Sequence, residues 1–257
     1  MKEPDKDKAH AKLSASGSER WLSCPGSVKL SEGIPSVDNE HSVRGTRTHT
    51  LLQFMLENEH FSGMLTHPVA QDFKEHIQFD EAMFYNALFA AQEVIKEKVA
   101  LEKQTGHPVE LLVEEKLELE GVGFGTADII LYQPFGTLHV MDYKNGQKAV
   151  EPEHNTQGLY YAVAAADRFG WDFSRATITI IQPNAVHSSG PVRSWRTTPE
   201  MLEKKKTLFQ KGAALTKKKD APLVADPKWC WFCQARQKCP LQMKAKESKI
   251  MERFAPC

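Results

Sequence analysis

The sequence predicts an α/β fold in which helices pack on a small mixed sheet, in the order helix, three strands, helix, strand. Three observations carry this. Residues 72–103 place Phe73, Ile77, Met83, Phe84, Leu88, Val94, Ile95 and Val99 at helical spacing. From Val109 the pattern changes to strand-like runs over 109–119, 122–132 and 137–143. An Ala-rich helical run, 154–169, then precedes the apolar segment ATITIIQ at 176–182.

The elements follow in order. Residues 1–12 are charged throughout and predict a disordered lead-in. A short helix is expected around 18–22, then a turn at Cys24-Pro25-Gly26. Residues 31–42 and 58–70 read as loops. Between them, 44–57 is a helix with Leu51, Leu52, Met55 and Leu56 on one stripe. Gly106-His107-Pro108 stops the long helix. Gly121 to Gly123 and Gln133-Pro134-Phe135-Gly136 are short turns, so the first three strands form an antiparallel meander. Gly170 ends the Ala-rich helix and Pro183 closes the fourth strand. Residues 184–197 are loop or an extra hairpin, 199–219 is a lysine-rich helix, and 222–227 is a linker into a cysteine-rich end. No glycine-rich phosphate loop follows any strand, which removes support for a nucleotide fold.

The chain has 257 residues, with 33 basic and 33 acidic side chains. Net charge alone therefore announces no polyanionic partner; a binding surface has to come from local clustering. No apolar run approaches the ~20 residues that span a bilayer, and the charged N-terminus lacks the apolar core of a secretory signal. The expectation is a cytoplasmic protein with no membrane partner. Its five cysteines then suit metal or cluster ligation better than disulfides.

Asp142-Tyr143-Lys144 ends the third strand. Asp142 and Lys144 share a face because side chains alternate along a strand. With the turn centred on Phe135, Asp128 on the preceding strand lies opposite Asp142. Two carboxylates and a lysine at a strand end suit one hard cation, Mg²⁺ or a similar ion, with an activated water. The alternative is a cross-strand ion pair. Asp128 weighs against it, since it interrupts the apolar run GVGFGTADIILY, where an unpartnered carboxylate is costly.

GTADII followed by VMDYKNG resembles the PD-(D/E)XK nuclease superfamily in its RecB-like exonuclease branch. The resemblance implies a restriction-endonuclease-like α-β-β-β-α-β core, here about residues 72–183 of a single nuclease domain over 13–242, followed by a tail at 243–257. It implies catalytic roles for Asp128, Asp142 and Lys144. Gly45-Thr46-Arg47-Thr48-His49 resembles the branch's Gly-x-x-x-His motif, and the implied metal set is His49, Asp128, Asp142 and Tyr143, with Mn²⁺ or Mg²⁺ bound. Gln157 and Tyr161 match a Gln-x-x-x-Tyr motif that supports the site and contacts DNA; their i,i+4 spacing puts both on one helix face. A further carboxylate often joins from the first core strand, and the branch pattern favours Glu114 over Glu115.

Cys230-x₂-Cys233-x₅-Cys239 and the distant Cys24 make four ligands, and spacing alone admits zinc or an iron–sulfur cluster. The segments resemble those of AddB and CRISPR-associated exonucleases, and of a phage-encoded subgroup with a similar start to SASGSERWLSCPGS. That resemblance implies a [4Fe–4S] cluster on Cys24, Cys230, Cys233 and Cys239, joining helical segments at the two ends of the chain. Cys257 is left over as a terminal thiol. Lys204–Lys206 and Lys217–Lys219 are either a solvated face or a track for phosphates. Trp229, Trp231 and Phe232 are expected to shield the cluster rather than stack on bases.

The function expected from these residues and resemblances is a metal-dependent DNA exonuclease. It would resect DNA ends in phage or bacterial recombination or repair, beside a single-strand annealing or binding protein or a helicase. The alternative is a DNA-binding recombination protein of the same fold with little or no cleavage.

Overall fold

A computed structural model describes residues 12–35, 40–58 and 78–245. A five-stranded sheet in the order β1-β2-β3-β4-β5 forms its centre. The strands are β1 Glu110–Leu119, β2 Gly123–Gln133, β3 Thr137–Tyr143, β4 Arg175–Ile181 and β5 Val192–Thr197. β1, β2 and β3 pair antiparallel as the expected meander, β4 joins β3 in parallel, and β5 pairs antiparallel with β4. The segment left open between loop and hairpin thus resolves as an added edge strand. The β2–β3 register pairs Ile129 with Met141 and Gln133 with Thr137, a turn centred on Phe135.

The helices lie on both faces. On one face are α1 Ser18–Ser23, α2 Gly26–Leu30, α5 Thr156–Arg168 and α6 Pro199–Thr216. Their core includes Trp21, Ile130, Val140, Leu159, Ile178 and Phe209. On the other are α3 Glu40–Glu57 and α4 Glu81–Thr105, packed around Leu52, Met55, Met83, Ile129, Met141 and Tyr143. Residues 24–26 do not simply turn, because Gly26 already opens α2.

The long helix starts later than its apolar spacing suggests. Residues 78–80 are not helical, and Asp80 caps α4 by accepting from the Met83 N–H at 2.8 Å. A capping carboxylate takes one of the first unpaired amides, which fixes the start against an apolar pattern that continues upstream. The 72–77 portion of that expected helix lies outside the described residues, as do most of the lead-in, the greater part of the 58–70 loop, and Cys257. Gly106, at φ 72°, ends α4 as expected.

α5 is placed by contact. Asn155 caps it by accepting from the Gly158 N–H at 2.9 Å. A Cβ on Gly158 would lie 2.5 Å from Ile178 Cγ2, so only glycine lets this first turn close on β4. That approach brings Gln157 to the end of β3.

Candidate metal centre

Three carboxylates sit in one row across the meander. The β1–β2 register pairs Val113 with Ile129 and Glu115 with Ala127, which leaves Glu114 opposite Asp128. The β2–β3 register places Asp128 next in line opposite Asp142. All three are buried or nearly so, with side-chain exposures of 16%, 9% and 2% for Glu114, Asp128 and Asp142.

Glu114 has φ 49°, the left-handed region that a bulky side chain seldom occupies. The strand's burial changes phase there: Leu112 is buried before it and Leu117 and Leu119 after it. Regular alternation cannot bury both sets on one face; the left-handed residue absorbs the offset. Glu114 thereby turns toward His49, while Glu115 pairs with Arg168 on α5.

His49, on α3, closes the group. Its Nδ1 lies 3.3 Å from Asp128 Oδ1 and 3.4 Å from Glu114 Oε1. One ligand atom from each of His49, Glu114 and Asp128 lies within 4.8 Å of the others, a set able to hold a metal ion. Burial alone would push the His49 imidazole down, but the adjacent carboxylates outweigh it and raise the group to about 10.

Asp142 lies beside this set. Burial raises its carboxyl to about 6, against the opposing pull of Lys144. Its Oδ2 is 2.7 Å from Lys144 Nζ, and its buried Oδ1 has no hydrogen-bond donor. The group within 4.8 Å is His49, Glu114 and Asp128, without the expected Asp142 and Tyr143; an imidazole and two carboxylates, with an orphaned carboxylate oxygen on the neighbouring strand, suit a hard divalent cation. The residues therefore fit the metal implied by the sequence.

Lys144 Nζ also donates to Gln157 Oε1 at 2.9 Å. Desolvation opposes its charge, yet Asp142 and Asp128 hold its pKa above the ordinary range. Tyr161, one turn along α5, is buried, and burial followed by the charges of Asp128 and Asp142 pushes its phenol up. Gly125 on β2 makes room for it: a Cβ there would lie 2.9 Å from Tyr161 Cε1.

Tyr143 enters through its main chain, whose N–H donates to Asp128 Oδ2 at 2.8 Å. Its ring lies in the core of the opposite face, edge-on to His49 with centroids 5.5 Å apart. The phenol therefore does not join the carboxylate row.

Sequence reasoning missed the clamp on the loop after Lys144. Gln182 donates to the carbonyls of Gly146 and Lys148, each at 2.8 Å, and accepts from the Val150 N–H at 3.0 Å. Arg193 on β5 donates to Gln182 Oε1 at 2.6 Å and to the Val150 carbonyl at 2.9 Å. Asn184 holds the Asn145 carbonyl at 2.9 Å. The one sequence signal was the polar residue closing ATITIIQ.

Cys24, Cys230, Cys233 and Cys239 line one pocket, also bordered by Arg20 and Arg236. The Val224 N–H donates to Cys24 Sγ at 3.3 Å and the Asp226 N–H to Cys230 Sγ at 3.4 Å. Among the described residues, no three cysteine sulfurs lie within 4.8 Å of one another. The pocket thus gathers the four thiols without the tight set of a mononuclear site. Trp231 and Phe232, expected to shield these thiols, are 69% and 72% exposed. Trp229 does pack, donating its indole N–H to the Val224 carbonyl at 2.9 Å. Of the lysine runs, Lys206 is paired with Asp167 at 2.7 Å, while Lys204 and Lys217–Lys219 are exposed. Among the described residues, no helix is long and apolar enough to cross a membrane.

The pattern of a family described as a protein of unknown function, DUF2800, matches residues 10–256. Among solved structures, the chain is similar to a Eubacterium rectale protein described as a candidate exonuclease. Identity is 12%, coverage is 84% of this chain and 85% of that one, and the TM-score is 0.45. It is also similar to SSO0001, at 14% identity, 88% and 96% coverage and TM-score 0.32. An alkaline exonuclease from Laribacter hongkongensis matches at 10% identity, 68% and 92% coverage and TM-score 0.29. These likenesses are too remote to assign an activity.

Proposed function

The chain belongs to the DUF2800 family of proteins of unknown function, and from that starting point we propose that it is a metal-dependent DNA exonuclease. The observation that carries the reading is the row Glu114–Asp128–Asp142, met by His49 from α3 and by Lys144.

His49, Glu114 and Asp128 would hold Mg²⁺ or Mn²⁺, with the unpaired Asp142 oxygen on the neighbouring strand. Such an ion would supply a water of lowered pKa and positive charge at the phosphorus. Lys144 is aimed by Asp142 and Gln157, so its ammonium meets the phosphate at a fixed place and stabilises charge that develops there. Gln157 and Tyr161 wall that side of the site. The Gln182–Arg193 clamp keeps the loop after Lys144 from drifting, which matters because small misplacements of a catalytic group are costly.

On the four cysteines, which line one pocket, the resemblance of the Cys-x₂-Cys-x₅-Cys segment favours a [4Fe–4S] cluster over zinc. Backbone N–H groups directed at Cys24 and Cys230 would stabilise ligating thiolates. The biological reading is resection of DNA ends in bacterial or phage recombination or repair, with an annealing protein or helicase as partner and a cytoplasmic location.

The test is digestion of end-labelled linear DNA and closed circular DNA by anaerobically purified protein with Mg²⁺ or Mn²⁺. Loss of the linear substrate from its ends, with circles intact, is expected. Cutting of circles would overturn the exonuclease assignment; no cleavage of either would overturn the nuclease reading.

A further inference from the structure

The cysteine-bearing end carries a surface that hydrolysis does not use. Trp231 and Phe232 are adjacent, 69% and 72% exposed. Large aromatic side chains are rarely left this open without a partner. The Arg236 guanidinium lies 4.7 Å from the centroid of the Trp231 ring, a cation–π contact that orients both groups. Arg236 is exposed, as are Lys228 and Lys238, near them in sequence.

The charge of this region is one-sided. Residues 204–244 contain eleven Lys and Arg but only two Asp and Glu, in a chain with 33 of each sign. The neutral whole conceals a basic end that complements a polyanion. The platform is also tied to the proposed active site. Lys228 pairs with Glu19 on α1, and Ser18 on α1 donates to Thr156 at the start of α5 at 2.8 Å, next to Gln157.

We propose that Trp231 and Phe232, with Arg236, form a stacking platform for unpaired bases, so that this end of the protein binds single-stranded DNA. The inference rests on the reading of the protein as a DNA nuclease and names the form of DNA held outside the metal centre. Duplex bases are already stacked and present edges rather than faces, so exposed rings favour unpaired bases. The surrounding lysines follow the phosphates and make binding salt-dependent.

The test measures anisotropy of a fluorescent single-stranded 20-mer and its duplex, without added divalent metal. The full-length protein is compared with two double variants, Trp231→Leu/Phe232→Leu and Trp231→Phe/Phe232→Tyr. Stacking lost at two bases should weaken single-strand binding about tenfold or more in the leucine variant. The aromatic variant should bind within about threefold of wild type, and duplex affinity should change little in either. Hydrolysis of bis(p-nitrophenyl) phosphate with Mn²⁺, a substrate too small to reach the platform, should be equal in all three. No single-strand binding by wild type, or equal binding by the leucine variant, overturns the platform and leaves the exposed rings to a protein partner. Absence of phosphodiester hydrolysis in the wild type instead counts against the nuclease reading.

Discussion

Replacing Gly125 with alanine should damage the site from outside it. The new Cβ would lie 2.9 Å from Tyr161 Cε1, with Ala15 Cβ at 3.5 Å and Tyr161 Oη at 3.6 Å. Ordinary contact begins near 3.4 Å, so the ring must yield by about 0.5 Å. Tyr161 is 6% exposed and packed in the core, and cannot swing out. Overpacking of this kind costs about 1–3 kcal/mol, and at roughly 2–4 °C per kcal/mol for a domain of this size that lowers the Tm by roughly 2–12 °C. The displacement passes to Gln157, one turn away on α5, whose Oε1 accepts from Lys144. Since a 1 Å misplacement can cost ~100-fold, kcat should fall about tenfold with KM nearly constant. Thermal denaturation and hydrolysis of end-labelled DNA read the two effects. Adding Tyr161→Leu should return part of the lost stability but none of the activity, the non-additivity of residues in contact. A Gly125→Ala protein with wild-type Tm and kcat would refute the chain of contacts from β2 to Lys144.

Three further outcomes are expected. Arg193→Met removes the donors that serve Gln182, Val150 and Gly190 from a residue only 4% exposed, and should cost about 2–4 kcal/mol by thermal denaturation; a change under about 0.5 kcal/mol would contradict the clamp. The His139 ring holds the Glu97 carboxyl below its ordinary 4.5. A depressed carboxyl gives stability above that value and loses it as pH falls through the folded value, so Glu97→Gln should show a shallower acid loss below pH 4.5 than wild type; identical acid curves would count against the pair. Cys24→Ser should abolish brown colour and absorbance near ~400 nm in anaerobically prepared protein; unchanged iron and sulfide content would remove Cys24 from the cluster.

The fold was legible wherever pattern and turn chemistry agreed. The change from helical to strand spacing at Val109 located the meander, and the Pro134-Phe135-Gly136 turn set the register that aligns Asp128 with Asp142. The start of α4 was misread because apolar spacing through Phe73 and Ile77 masked a good cap at Asp80, although the Asp-Glu pair there was available as a signal. The phase change at Glu114 could not be read. Two adjacent glutamates give no sign of which takes the left-handed conformation, since packing on both sides of the strand decides it. The same holds for Arg193, whose partners come from a loop and a strand end distant in sequence. Trp231 and Phe232 were misjudged because composition around cysteines says nothing of which way a short turn faces its rings.

The most direct measurement compares wild type with Asp142→Asn on linear DNA in Mn²⁺, with DNA binding followed in parallel. Asparagine keeps the shape of this buried side chain but removes the charge that faces Asp128 and aims Lys144. Wild type should degrade the DNA, and the variant should bind it with similar affinity and degrade none. Degradation by the variant at the wild-type rate, or none by wild type with any divalent metal, would contradict the assignment of the carboxylate row as a nuclease centre.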